Sequence, residues 1–471
     1  MPSPSVPCCG PVVRAEPSAV DRGGAALTGA GRRIGFVGTR FAGTDGVTLE
    51  AEKWASVLER MGHSCAWFAG QLDERFTPGR TVPEAFYRHP QVAALTRELF
   101  SPGAAELAGA TDPGVAVRRR DFFSPYVRSP WISRRMEELR DHLYAELVRF
   151  CADLDVELLI VENALAIPVH VPLGMALTRL IAETGIPVIA HHHDLPWERQ
   201  RFAVNAVEDI LAASFPPRLP SIRHVVINSV QAQQLAWRSG LTSRVIPNVM
   251  EFEVPPAPLD DHARQARHDL GVPDDVLLVL QPTRVIQRKG IEHAIELVRR
   301  LERPATLVIS HASGDEGDDY EHRVREFAQL LDVDVRFESE LVDDRRGQLA
   351  DGRRTYTLAD IYPHADLVTY PSSIEGFGNA FLETVYHRRP IVVNRYSIYE
   401  IDIAPRGFRA VEFDSYISSA TIAATQRVLD DPALAAEWAE TNYTQGARHF
   451  SFTVLDHRLR ALLDECFGDV P

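Results

Sequence analysis

Short apolar runs, each followed by a pattern of helical period, recur along the chain. The first is RIGFVG at 33–38, which runs into a glycine-bearing loop at 39–47 and then a helical pattern through Glu59. Strand-like runs follow at 156–161, 186–190, 223–228 and 244–246, with helical segments between them. The alternation returns at 276–280, 305–310, 333–337, 366–370 and 390–394, including a helix over 291–301. Apolar strands spaced by helices predict parallel sheets built through right-handed crossovers. Between the two blocks, EVPPAPL at 253–259 is a linker stiffened by proline. The expected fold class is therefore α/β, with two Rossmann-like, doubly wound domains at 31–252 and 253–449 and a terminal helix within 450–471. Residues 1–30, rich in Pro, Ala, Gly and Ser without a period, read as a disordered leader.

Two stretches break the pattern. Residues 71–155 are rich in Pro and Arg, and only the amphipathic run at 133–151 predicts an element. Its arginines, Arg118, Arg119, Arg120, Arg128, Arg134 and Arg135, are candidates for meeting an anionic acceptor, although such runs usually form solvated helix faces. Residues 340–356 are longer and more charged than an ordinary connection and read as an insertion or mobile loop.

Composition excludes several classes. A formal charge of −15 over 471 residues argues against nucleic acid as a partner. Five cysteines, Cys8, Cys9, Cys65, Cys151 and Cys466, show no metal-type spacing, which fits a reduced, cytoplasmic compartment. No signal peptide or uninterrupted apolar span of membrane length is present. Lys53 and Lys289 are the only lysines, so each stands out against an arginine-dominated background.

The chemistry concentrates at the ends of the predicted strands. The run at 366–370 leads into PSSIEGFGNAFLETV at 371–385, where Glu375 stands at the turn and Glu383 in the helix, with seven residues between them. Gly376 and Gly378 allow close backbone approach to a ligand, and the first helical N–H groups can donate to anionic or hydroxyl oxygens. A carboxylate accepts two hydroxyl hydrogen bonds, so the pair can hold two sugar rings of one molecule. Phe381, Leu382 and Val385 supply the buried side of the helix. Arg284 and Lys289 precede a helix start, where cations have the wrong sign for the helix dipole, which predicts an anion such as a diphosphate between them. His191, His192 and His193 with Asp194 end another strand; side chains alternate there, so the three histidines cannot readily share one metal. The first glycine loop lacks G-x-G-x-x-G, which disfavours a dehydrogenase.

EGFGNAFLE at 375–383 resembles the E-G-F-G-x-x-x-x-E signature of the family-four retaining glycosyltransferases of the GT-B fold. The resemblance implies that Glu375 lies at the donor hexose, that Phe377, Gly378, Asn379 and Ala380 offer backbone groups to hexose and phosphate, and that Glu383 takes the ribose hydroxyls. Arg284 and Lys289 resemble the Arg and Lys of the family's diphosphate loop, with Pro282 and Thr283 where glycine often stands. Gly43 and Gly46 resemble its G-G-V/I loop with Thr44 and Asp45 inserted, and His193 with Asp194 best matches its hexose-contacting histidine. Pro247 and Asn248 resemble its P-N-G-V-D segment, with Val249 replacing the glycine.

The implied activity is transfer of a hexose from a UDP- or GDP-sugar to a hydroxyl of a small polar or glycan acceptor, with retention and without an essential metal or other cofactor. The first-domain segments look like those of enzymes that modify small, partly anionic acceptors such as glucosylglycerate. A sugar-nucleotide epimerase, a phosphorylase and a non-catalytic sugar-nucleotide-binding subunit are the alternatives. A glycosidase-type carboxylate pair would leave the Arg284 and Lys289 loop unexplained.

Overall fold

The computed structural model describes residues 31–43, 45–100, 126–313 and 319–468. The first sheet contains β1 (Arg33–Val37), β2 (Ser64–Ala69), β3 (Gly79–Thr81), β4 (Leu158–Glu162), β5 (Val188–His192), β6 (Ile222–Val226) and β7 (Ser243–Val245). Its strands are all parallel, in the order β3-β2-β1-β4-β5-β6-β7. The second domain continues with β8 (Leu277–Gln281), β9 (Ala305–Ile309) and β10 (Asp334–Phe337), a small hairpin of β11 (Gly347–Gln348) and β12 (Arg354–Thr355), then β13 (Leu367–Tyr370), β14 (Ile391–Asn394) and β15 (Val411–Phe413). Its sheet runs β10-β9-β8-β13-β14-β15, again parallel throughout. In both sheets the winding reverses beside the first strand, between β1 and β4 and between β8 and β13. Ligands of open α/β sheets bind at such switch points, outside the carboxyl ends of the strands.

Most elements follow from local chemistry. The strand LLIVE of β4 is buried from end to end, as expected for a strand covered on both faces. The helix Gly46–Arg60 starts at Asp45, whose carboxylate accepts from the N–H groups of Val47 and Thr48. The terminal helix Phe452–Phe467 is capped by Ser451 and turns Leu455, Leu459, Leu462 and Leu463 onto the cluster of Ile34, Trp54 and Leu58 in the first domain. Each fully buried Leu contributes about 1.5–3 kcal/mol over an exposed one, so this helix is firmly attached. Among the described residues no helix is long and apolar enough to cross a membrane.

Two sequence expectations change. The segment 340–356 is not merely a loop: it carries the β11–β12 pairing, Tyr356 is fully buried, and Arg346 Nε lies 3.1 Å from both carboxylate oxygens of Asp360. Arg128 forks onto Asp209 at 2.6 Å and donates to the Ala206 carbonyl at 3.0 Å, so it fastens the start of the helix Pro130–Asp153. Neither it nor Arg134 nor Arg135 lines the cleft described below. The predicted leader and Arg118, Arg119 and Arg120 lie outside the described residues.

Candidate active site

The carboxyl ends of the two sheets face each other across a cleft of about 920 Å³. Its first-domain wall comes from the loop after β1 and the segment after β5; its second-domain wall comes from the loops after β8 and β13. The β11–β12 region adds Asp343 and Asp344. Gly43, Gly46, His193, Arg284, Lys289, Glu375, Phe377, Gly378, Asn379, Ala380 and Glu383 all line this one cleft. Bonds between the domains hold its floor: Asn228 Nδ2 donates to the Gly376 carbonyl at 2.8 Å, and Asn248 Nδ2 to Asn379 Oδ1 at 2.6 Å.

Glu375 and Lys289 form a buried ion pair, with side chains only 9% and 10% exposed. Arg288 Nη1 adds a longer contact to Glu375 at 3.4 Å. Burial opposes ionisation of Glu375, but Lys289 and Arg288 outweigh it and hold the carboxyl below its ordinary range. Burial lowers the Lys289 ammonium despite the carboxylate beside it. The anion expected near these cations is thus partly internal. Arg284 is exposed and its side chain has neither hydrogen bond nor ion pair among the described residues, so its charge is free for a ligand.

The turn that carries Glu375 ends at Gly378, whose φ of +131° opens the helix Asn379–Tyr386. A Cβ there would collide with the Tyr396 hydroxyl, which donates to the Phe377 carbonyl at 2.8 Å. One helical stretch on, Glu383 accepts from Tyr362 Oη at 3.0 Å. Burial raises its pKa against the opposing charge of Lys53. Lys53 in turn donates to Glu50 at 3.0 Å and to the Val249 carbonyl at 2.6 Å, while Val249 N–H donates to Glu50 at 3.2 Å. A lysine and a glutamate from the first helix therefore set the turn in which Val249 replaces glycine, and so place Asn248 against Asn379.

On the first-domain wall, His193 Nε2 lies 3.0 Å from Glu162 Oε2, and His191 Nδ1 lies 3.2 Å from Glu162 Oε1. His191 stacks on Trp54, whereas His192 points to the other face and meets His224 Nδ1 at 2.9 Å. Burial works against the charged His193, yet the Glu162 carboxylate more than offsets it and raises the imidazole. Burial lowers His191. Glu162, His191 and His193 offer ligand atoms within 4.8 Å of one another, a donor set chemically able to hold a cation, but these atoms already satisfy each other as a hydrogen-bonded triad.

No protein-family model matches the chain. The mannosylglucosylglycerate synthase of Petrotoga mobilis is 30% identical to it over 403 residues, which cover 81% of this chain and 86% of that protein. The chain belongs to the mannosylglucosylglycerate synthase family of glycosyltransferases. The synthase of Thermotoga maritima is 29% identical over 455 residues, covering 90% of this chain and 98% of its own. Among solved structures, a glycosyltransferase from Rickettsia africae superposes with a TM-score of 0.60 at 14% identity, over 93% of this chain and 99% of that one. Anabaena HepE in complex with UDP and glucose gives 0.60 at 13%, over 92% and 100%. These structural likenesses show the fold, which is GT-B.

Several groups that shape this glycosyltransferase's cleft escape sequence reasoning. Glu162 ends a fully buried apolar strand at the centre of the first sheet, and a carboxylate closing the run LLIVE is the signal the sequence carries for it. Arg40, His311, Asp344 and Tyr362 carry no such mark and reach the cleft only through the fold.

Proposed function

We propose that this glycosyltransferase moves a hexose from a UDP- or GDP-hexose to a hydroxyl of a small polar acceptor, with retention of anomeric configuration. The observation that carries the reading is the convergence of Arg284, Lys289, Glu375 and Glu383 in one cleft at the switch point of the second sheet. Transfer makes a diphosphate gain negative charge while the sugar approaches an oxocarbenium ion. Arg284, Lys289 and the N–H groups opening the helix Asn379–Tyr386 act on the first, and preorganised donors of this kind stabilise charge as it develops. Glu375, fixed by Lys289, orients the hexose and offsets its positive charge. Glu383, buried and hydrogen-bonded to Tyr362, takes the ribose hydroxyls, and His193, backed by Glu162, faces the hexose. The leaving phosphate itself removes the acceptor proton, so the reading assigns no metal and no separate general base.

The relatives are named for the synthesis of mannosylglucosylglycerate, and for this chain we read a glucosylglycerate-type acceptor. A nucleotide-sugar donor and free thiols at Cys65, Cys151 and Cys466 suit a cytoplasmic setting. The test is calorimetric titration with UDP, GDP and ADP, each with and without EDTA. Metal-independent binding of UDP or GDP is expected and names the base. Binding of none of the three would overturn the donor assignment.

A further inference from the structure

Four arginines line the cleft, and two of them have carboxylate partners: Arg199 lies 2.6 Å from Asp194, and Arg288 lies 3.4 Å from Glu375. The side chains of Arg284 and Arg40 have neither a hydrogen bond nor an ion pair among the described residues. Arg284 stands on the second-domain wall, where the proposed diphosphate lies. Arg40 stands on the opposite wall, in the loop leaving β1, and its Nε is buried without any acceptor.

The described residues beside Arg40 are held by hydrogen bonds. Phe41 is fully buried and donates its N–H to the Gln71 carbonyl at 2.9 Å. Gly43, at φ +65°, donates to Asp73 Oδ2 at 2.9 Å, and its carbonyl accepts from Arg75 Nη2 at 2.8 Å. The carboxylates on the same wall are engaged elsewhere: Asp73 with Gly43 and Arg75, and Asp45 with the helix start and the Thr48 hydroxyl at 2.7 Å. Asp344 approaches from across the cleft. Its Oδ2 would lie 3.9 Å from a Cβ on Gly43, while Arg40 Nη2 would lie 3.0 Å from the same point, yet the two side chains form no ion pair.

A partly desolvated guanidinium without an acceptor is unfavourable until something supplies one. Its planar fork matches a carboxylate bidentately. We propose that Arg40 binds the carboxylate of the acceptor. The inference rests on the glycosyl-transfer reading above and adds the residue that reads acceptor charge. It sets Arg40 apart from Arg284 by wall and by ligand: one takes the acceptor's anion, the other the donor's.

The test is calorimetric binding of two probes, glucosylglycerate and glucosylglycerol, which differ by a carboxylate in place of a hydroxymethyl group, to the full chain and to its Arg40→Gln and Arg40→Lys variants. The wild type should bind the carboxylate probe at least about tenfold more tightly, the scale of a hydrogen bond to a charged group. Arg40→Gln should abolish that preference while binding UDP or GDP as the wild type does, and Arg40→Lys should keep part of it. Equal binding of the two probes, binding of neither, or a preference that survives Arg40→Gln overturns the proposal. A matching loss of nucleotide affinity would move Arg40 to the donor and overturn it equally. Failure of the donor reading would show separately, as absence of UDP and GDP binding by the wild type.

Discussion

Replacing Lys289 with Met removes the ammonium while keeping most of the side chain's bulk. Glu375 is then left nine-tenths buried with only the 3.4 Å contact from Arg288. Breaking one side of a buried ion pair costs about 3–5 kcal/mol, because the remaining charge has lost both water and partner. The same substitution should lower transfer by about 10²–10³-fold, the scale of losing one donor to developing charge. The two effects separate in a double variant. Glu375→Gln added to Lys289→Met removes the stranded charge, so urea midpoints should recover most of the lost stability while turnover stays low. In the wild type the Glu375 pKa is lowered, so its contribution is present above about pH 4.5 and fades as pH falls; in Lys289→Met burial alone raises it, and protonation relieves the penalty at low pH. The stability gap should therefore be widest near neutrality and narrow toward pH 4.5. A double variant as unstable as the single one, or near-normal transfer by Lys289→Met, would refute this account of the pair.

Glu383→Gln should weaken binding of the nucleotide-sugar, seen as a raised KM with kcat largely kept; a loss confined to kcat at saturating donor would contradict a ribose-binding role. Burial lowers His170, His224 and His387 to about 4, so these imidazoles are neutral in the fold and the unfolded chain takes up protons first. Stability should accordingly be full above about pH 6.5 and fall by about 3 kcal/mol per group by pH 4, measured as urea midpoints across that range; a flat profile would argue against it. Glu162→Gln removes what raises His193, so any alkaline limb of the pH–rate profile due to that imidazole should move to lower pH. EDTA treatment should leave the transfer rate unchanged, and loss restored by a divalent ion would assign the Glu162, His191 and His193 cluster to metal.

Much of this architecture is legible because its strands are unbroken apolar runs and its turns carry Gly beside charged residues. LLIVE, LLVLQ and the EGFGNAFLE stretch declare themselves locally. The strand SCAWFA of β2 does not, because a short run mixing small and aromatic residues, buried from Cys65 onward, has no period that separates it from a buried helix segment, and the helices Ser419–Asp430 and Pro432–His449 depend on packing for their faces. At the site, the residue types and their positions at strand ends are visible in the chain, but their pairing is not. That Lys289 meets Glu375 follows from β8 and β13 lying side by side in the second sheet, and that Lys53 supports Val249 and that Arg40 Nε is left without an acceptor follow from how the first domain's own helix and loops pack.

The most direct test of the central claim is proton NMR of the reaction of this chain with UDP- and GDP-hexoses and glucosylglycerate. The account predicts a new glycosidic signal with the donor's anomeric configuration, appearing in step with release of UDP or GDP. Inversion at that carbon, or nucleotide release that needs added phosphate or occurs without any new glycoside, would contradict it.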